Sequence, residues 1–422
     1  MTEPKRLAPL DGLRGLAILM VLWCHLDGFL VDGRGLSEPS FVHLLARFGF
    51  AGVFLFFVLS GFLLFLPYAR ALIAGSPWPS VRRFYQRRVL RILPLYWLVL
   101  AFLLFVVEKA PLNWSLLLAP LLLFDLHTQT FNQVSALDPP LWTLAVEWQF
   151  YLLLPWIALA LAKLAGRRTG QARARYLILG LALLTLLGLL IRVLVAVVFY
   201  AWNNPSPLDA PGVMGPFLTL VSGMRGKQLE IFTLGIGASL FYVWAIEQGH
   251  LTPASRSRVS FWTGAAALLG LAGAFWLAAA VGRIPAVNGI FVPQAPVWFI
   301  VGEWLLGISF ALLLLSVMFG VPWVQRVWAF RPLCFIGLIS YSLYLWHWQL
   351  LALSAYSTPL ALLVLLLFCT ASYYLVERPF LRWRHASTSK PLLSASFPRL
   401  GYARVPEQPD LRPGKAKQSD GG

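Results

Sequence analysis

Apolar runs of about 20 residues recur along this chain, and a run of that length matches the hydrocarbon thickness of a bilayer. Residues 176 to 201 and 358 to 377 are two of them. Of the 422 residues, 59% are hydrophobic and only 12% charged, where a soluble domain carries about 25% charged residues. That excess of apolar surface has to face lipid. The expected fold class is therefore all-α, a polytopic transmembrane helical bundle at the cell membrane.

Hydropathy places spans near 11 to 30, 48 to 68, 90 to 107, 142 to 163, 176 to 201, 229 to 247, 260 to 281, 298 to 318, 334 to 353 and 358 to 377, about ten crossings in all. Leu112 to Phe124 is apolar too, but its 13 residues are too few to cross, so it reads as re-entrant or interfacial. Charge bias sets the orientation, because cytoplasmic loops are enriched in Lys and Arg. Arg70, Arg82, Arg83, Arg87, Arg88 and Arg91 follow the second span with no acidic residue among them, and Lys163, Arg167, Arg168, Arg173 and Arg175 follow the fourth. Both loops are expected inside, which puts both termini in the cytoplasm. Arg225 and Lys227 are the mild exception.

The net charge of +17 does not point to nucleic acid, because the basic residues are dispersed over short loops instead of forming one exposed stripe. Cys24, Cys334 and Cys369 lie far apart in apolar runs, so neither a disulfide framework nor a metal-ligand spacing is visible. Lys5 and Arg6 precede the first apolar run without a small-residue cleavage site after it, which predicts an uncleaved helix. Residues 1–380 are expected to form the membrane domain. Residues 381–422, rich in Arg, Lys, Ser, Pro and Gly, are expected to be a disordered cytoplasmic tail.

Ionisable groups inside apolar spans are costly and are functional candidates by default. Arg14 and His25 share the first span, 11 residues apart. That spacing is about three helical turns, so the two side chains lie on one face about 16 Å apart along the axis. An extended pantetheine arm has a comparable length. Snorkelling is the bland alternative for Arg14, and a satisfied core position for His25. Glu147 in the fourth span and His347 in the ninth fall at a depth similar to that of His25. A histidine beside a carboxylate suits general base catalysis, although a structural ion pair of Glu147 with Arg192 is an alternative. Arg88 and Arg91 sit three residues apart on one face, as phosphate recognition or simple inside-positive topology would have it. Ser60 and Gly61 place a small pair in the second span, for close helix packing or for a thin substrate. No base at an identifiable spacing marks Ser60 as a nucleophile.

Five ordered segments together resemble the acyltransferase family 3 membrane proteins, the group that includes bacterial O-antigen and other sugar O-acetylases. They are LDGLRGLAILMVLWCH with Arg14 and His25, FFVLSGF with Ser60 and Gly61, RRVLRILPLYW with Arg88, Arg91, Pro94 and Tyr96, LWTLAVEWQFYLLLP with Glu147, Phe150 and Tyr151, and ISYSLYLWH with Tyr341, Tyr344 and His347. The resemblance implies an acyl-coenzyme A donor, acetyl-coenzyme A first, taken from the cytoplasm, and a glycan or glycolipid hydroxyl presented at the outer face, with no metal. It implies His25 as catalytic base, Arg14 as its essential partner, Arg88 and Arg91 on donor phosphates, and Glu147 supporting the reacting centre. Ser60, Tyr151, Tyr344 and His347 complete the expected site. Some relatives carry a fused extracytoplasmic hydrolase-like domain. None is expected here, so acceptor selection falls to the loops at 31 to 47, 125 to 141 and 202 to 228. The competing classes are a secondary transporter of a small anion or sugar using the same buried charges, and a degenerate scaffold, against which the intact Arg14, His25 and Glu147 speak.

Overall fold

A computed structural model describes residues 8–32, 41–108, 139–201, 228–247, 249, 251–280, 286–287, 290–291 and 297–386. Among them the only strand pairing is the two-residue antiparallel match of Ala286–Val287 with Ile290–Phe291. Everything else regular is helical. The first half comprises α1 (Ala8–Asp32), α2 (Phe41–Arg47), α3 (Gly52–Ala74), α4 (Val81–Phe102), α5 (Trp142–Ala165) and α6 (Gly170–Ala201). The second comprises α7 (Leu229–Glu247), α8 (Pro253–Ala280), α9 (Glu303–Phe319), α10 (Pro322–Trp328), α11 (Arg331–Leu338), α12 (Ser340–Leu351), α13 (Thr358–Ser372) and α14 (Arg378–Ala386).

Eight segments are long and apolar enough to cross a membrane: Ala8–Leu30, Phe41–Ala74, Val81–Val107, Trp142–Ala165, Gly170–Leu194, Pro253–Ala280, Trp298–Phe319 and Thr358–Arg382. Two of the expected spans differ from these. The stretch 229 to 247 is helical, but its apolar part, Leu229–Ala245, is shorter than the others. The stretch 334 to 353 is not one helix, because the backbone turns at Ile339 (φ −91°, ψ 8°) and separates α11 from α12. At the C-terminal end the helix continues to Ala386, past the boundary expected at 380. The proposed re-entrant stretch, most of the three candidate acceptor loops and residues 387–422 lie outside the described residues.

Helix ends follow local chemistry. The Ser80 side chain accepts from the Arg83 amide at 3.4 Å to open α4, and Gly75, at φ 69°, closes α3 in the left-handed conformation that glycine adopts without cost. Packing then sorts the helices by depth. The segment ending with α3 is mostly enclosed by other helices, whereas α8 lies largely at the surface of the bundle. Leu268, Leu269 and Trp276 on α8 stand exposed, as lipid-facing side chains do.

Small residues set the closest crossings, as is common between membrane helices. A Cβ on Gly61 would lie 2.3 Å from the Phe232 carbonyl oxygen, and one on Gly235 2.3 Å from that of Val58, so α3 and α7 meet backbone to backbone. Gly15 faces the Leu333 carbonyl oxygen at 2.2 Å in the same sense, which seats α1 against α11. Gly61 therefore serves packing.

Candidate active site

The site is built around α12, a helix of only 12 residues that neighbouring elements hold from several sides. The Tyr341 hydroxyl donates to the Ile92 carbonyl of α4 at 2.8 Å. Ser342 donates its hydroxyl to Glu377, and the Trp346 indole donates to the Ser372 hydroxyl at 3.2 Å. Tyr344 donates to the Pro140 carbonyl at 2.9 Å and shares a 2.5 Å contact with the Thr143 hydroxyl at the start of α5. Every polar side chain of the motif from Tyr341 to His347 thus has a fixed partner. A short helix gains little from its own propensity, so these bonds and its buried apolar residues hold it.

His347 is fully buried. Its Nδ1 lies 2.8 Å from the Tyr344 carbonyl, and its Nε2 lies 3.1 Å from Nδ1 of His25. The two rings are 4.9 Å apart between centroids and tilted by 43°. Trp348 presents its edge to the His25 ring at 5.5 Å and packs on Phe29 at 4.9 Å. His25 is thereby oriented by a second imidazole and an indole, not by the carboxylate that simple base chemistry would place beside it.

Glu147 has other partners. It accepts from the Ser60 hydroxyl at 2.9 Å and from the Tyr151 hydroxyl at 2.8 Å, one turn on along α5. The Arg88 guanidinium stands over the Tyr151 ring at 5.8 Å, and both Arg88 and Arg14 are within electrostatic range of Glu147. Arg14 bonds Asp11 at 3.0 Å and is in range of Arg91 and Tyr151. Those neighbours come from α4 and α5, so Arg14, with 39% of its side chain exposed, stands within reach of both helices. Arg91 pairs with Glu377 at 2.6 Å and covers the Tyr341 ring at 5.4 Å. Of the residues singled out in the sequence, the structure brings Ser60, Glu147, Tyr151, Arg14, Arg88 and Arg91 into one polar group, and His25, His347 and Tyr344 into another.

The alternative ion pair of Glu147 with Arg192 does not form. Arg192, fully buried, pairs with Glu303 at 2.6 Å and with Glu230, donates to the Phe299 carbonyl at 2.7 Å and bonds the Gln228 side chain at 2.5 Å. This cluster joins α6, α7 and the turn ahead of α9. Sequence reading missed Glu230, Glu303 and Glu377 as partners. The available signal was that an arginine in the middle of an apolar run needs a buried counter-charge, and each of these acids stands at the edge of such a run. It also missed a contact at the other end of α1, where Asp27 is 2.5 Å from Nδ1 of His43 and 3.6 Å from Nε of Arg47. Among the described residues no group of three His, Cys, Asp or Glu side chains is placed to hold a metal ion.

Comparison with known proteins places these residues in a family. The family model described as "Acyltransferase domain" matches residues 7–377. The YrhL protein of Bacillus subtilis is 26% identical over 410 residues, which cover 90% of this chain and 55% of YrhL. The peptidoglycan O-acetyltransferase OatA of Listeria monocytogenes is 24% identical over 377 residues, 83% of this chain and 50% of OatA. The O-acetyltransferase OatA of Staphylococcus aureus is 24% identical over 424 residues, 90% of this chain and 58% of that protein. The chain thus spans about half the length of the curated relatives it matches. No solved structure matches it. With the family model covering nearly all of its described helices, this multi-pass membrane chain belongs to the acyltransferase domain family.

Proposed function

We propose that the protein is an O-acetyltransferase that takes an acetyl group from acetyl-coenzyme A at the cytoplasmic face and transfers it to a hydroxyl of a cell-envelope glycan at the outer face. The observation that carries this reading is the pairing of two different chemistries on one unbroken helix. On α1, Arg14 belongs to a cationic group with Arg88 and Arg91, and His25 to an imidazole pair. Eleven residues separate them, about 16 Å along the axis, so a donor with an anionic end and a distant thioester fits between the two groups. Relatives named as peptidoglycan O-acetyltransferases support a glycan acceptor.

In this reading the arginines hold the donor phosphates, and Glu147 orders the cationic end by fixing Tyr151 beneath Arg88. Ser60 closes the wall beside Glu147, and Tyr344 ties α12 to α5. His25 takes the proton of the acceptor hydroxyl as its oxygen attacks the thioester carbon. The carbon–sulfur bond then breaks, the new ester leaves with the acceptor, and the proton on His25 goes to the departing thiolate. The acceptor need not cross the membrane.

The test is thiol release from acetyl-coenzyme A by the purified protein and by His25→Ala, each with peptidoglycan fragments or other envelope glycans. The expected result is release by wild type alone, with acetyl recovered as an ester on the acceptor. Uptake of a small anion or sugar into vesicles without consumption of thioester would favour a transporter instead.

A further inference from the structure

We infer that His347 is a positioning residue: it fixes which nitrogen of His25 carries the proton and leaves Nε2 of His25 as the free lone pair facing substrate. The inference rests on the reading of His25 as the base. It follows from a chain of donors and acceptors that begins at the backbone.

A carbonyl oxygen has no proton to give, so the 2.8 Å contact of His347 with the Tyr344 carbonyl requires Nδ1–H on His347. The His347 ring is fully buried and no carboxylate is among its bonded partners, and burying an uncompensated charge is costly, so the ring is the neutral imidazole. A neutral imidazole has a single N–H, so Nε2 of His347 is an acceptor. The 3.1 Å contact to Nδ1 of His25 then requires the proton on that Nδ1. Nε2 of His25 is left without a proton, as a base must be.

The starting point of the chain is held firmly. The Tyr344 carbonyl sits on a helix tied to α4, the turn ahead of α5, α13 and Glu377 by the four bonds from Tyr341, Tyr344, Trp346 and Ser342. When His25 takes the hydroxyl proton on Nε2, its Nδ1–H remains bonded to His347. The neutral second ring thus does the orienting work that a carboxylate does in a Ser-His-Asp triad, without adding a net charge inside the membrane.

The full-length protein in detergent provides the test, with wild type, His347→Gln, His347→Phe and His25→Ala compared. In histidine labelled with 15N, NMR shifts assigned by the loss of signals in His25→Ala report which nitrogen of His25 is protonated. Wild type is expected to show Nδ1–H, and His347→Phe a shift towards Nε2–H. With acetyl-coenzyme A and peptidoglycan fragments, His347→Phe should lose about 10²-fold or more in kcat at unchanged donor KM. In His347→Gln the side-chain oxygen can accept from Nδ1 of His25, which should keep turnover within about tenfold of wild type. Nε2–H in wild type, or equal losses in the Gln and Phe variants together with a raised donor KM, would overturn the positioning role. Unchanged turnover in His25→Ala would instead overturn the base assignment, and the NMR result then decides the His347 inference alone.

Discussion

Arg91 shows how one side chain can serve both folding and binding. Its guanidinium neutralises Glu377, which is 2% exposed, and the same group stands over the Tyr341 ring within range of Arg14. Removing one member of a buried pair strands the other charge, so Arg91→Ala should lose about 3–5 kcal/mol of stability and also raise the donor KM. In the double variant Arg91→Ala/Glu377→Gln much of the stability should return while the donor KM stays high, as thermal melts and donor titrations would show. Arg192→Met should destabilise by a similar amount, about 3–5 kcal/mol, because Glu230 and Glu303 lose their shared partner. Its donor KM should stay at the wild-type value, since the bonded partners of Arg192 are Glu230, Glu303, Gln228 and the Phe299 carbonyl. At this scale Arg14 and His25 were legible in the sequence because one helix carries both and helical period relates them. Their partners were not. His347 lies 322 residues from His25 and Ser60 lies 87 from Glu147, and no periodicity spans such distances.

Among the elements, α12 and the crossing of α3 with α7 decide how the site holds together. Tyr344→Phe deletes the bond to Pro140 and the contact with Thr143, which should cost about 1 kcal/mol. It should also lower kcat more than it changes donor KM, because α12 then holds His347 less firmly. Gly61→Leu forces a side chain into the Phe232 carbonyl and should cost about 1–3 kcal/mol as an overpacked contact, seen as a lower melting temperature. Hydropathy located nearly every helix described here, since a lipid-facing helix must be apolar along its whole length. It merged α11 and α12 into one expected span. Both pieces are apolar, and the turn at Ile339 between them involves neither proline nor glycine at the break, so the sequence carries no local marker of it. The helical turn Tyr373–Glu377, wound more widely than an α-helix, is another feature that periodicity passes over, and it delivers Glu377 to Arg91. Such turns often occur at functional sites.

For the whole molecule the open prediction is orientation. Loops rich in arginine should remain in the cytoplasm, so Ser76→Cys between α3 and α4 and Thr169→Cys between α5 and α6 should react with an impermeant thiol reagent only after the membrane is opened. Ser357→Cys, between α12 and α13, should react in intact cells. Cys24 and Cys369 are buried and Cys334 is partly exposed, so Cys334→Ala is the natural background. Labelling in the opposite sense would invert the proposed direction of transfer. From the sequence alone came the membrane-spanning helical class, the helix positions, the family resemblance and the placement of Arg14 with His25, because hydropathy, charge bias and helical period are sums over near neighbours in the chain. Only the tertiary structure decided that Glu147 bonds Ser60 and Tyr151, that Arg192 belongs to Glu230 and Glu303, and that His25 faces His347. Inside lipid a polar group must find its partner within the protein, and which partner it finds depends on how distant helices pack.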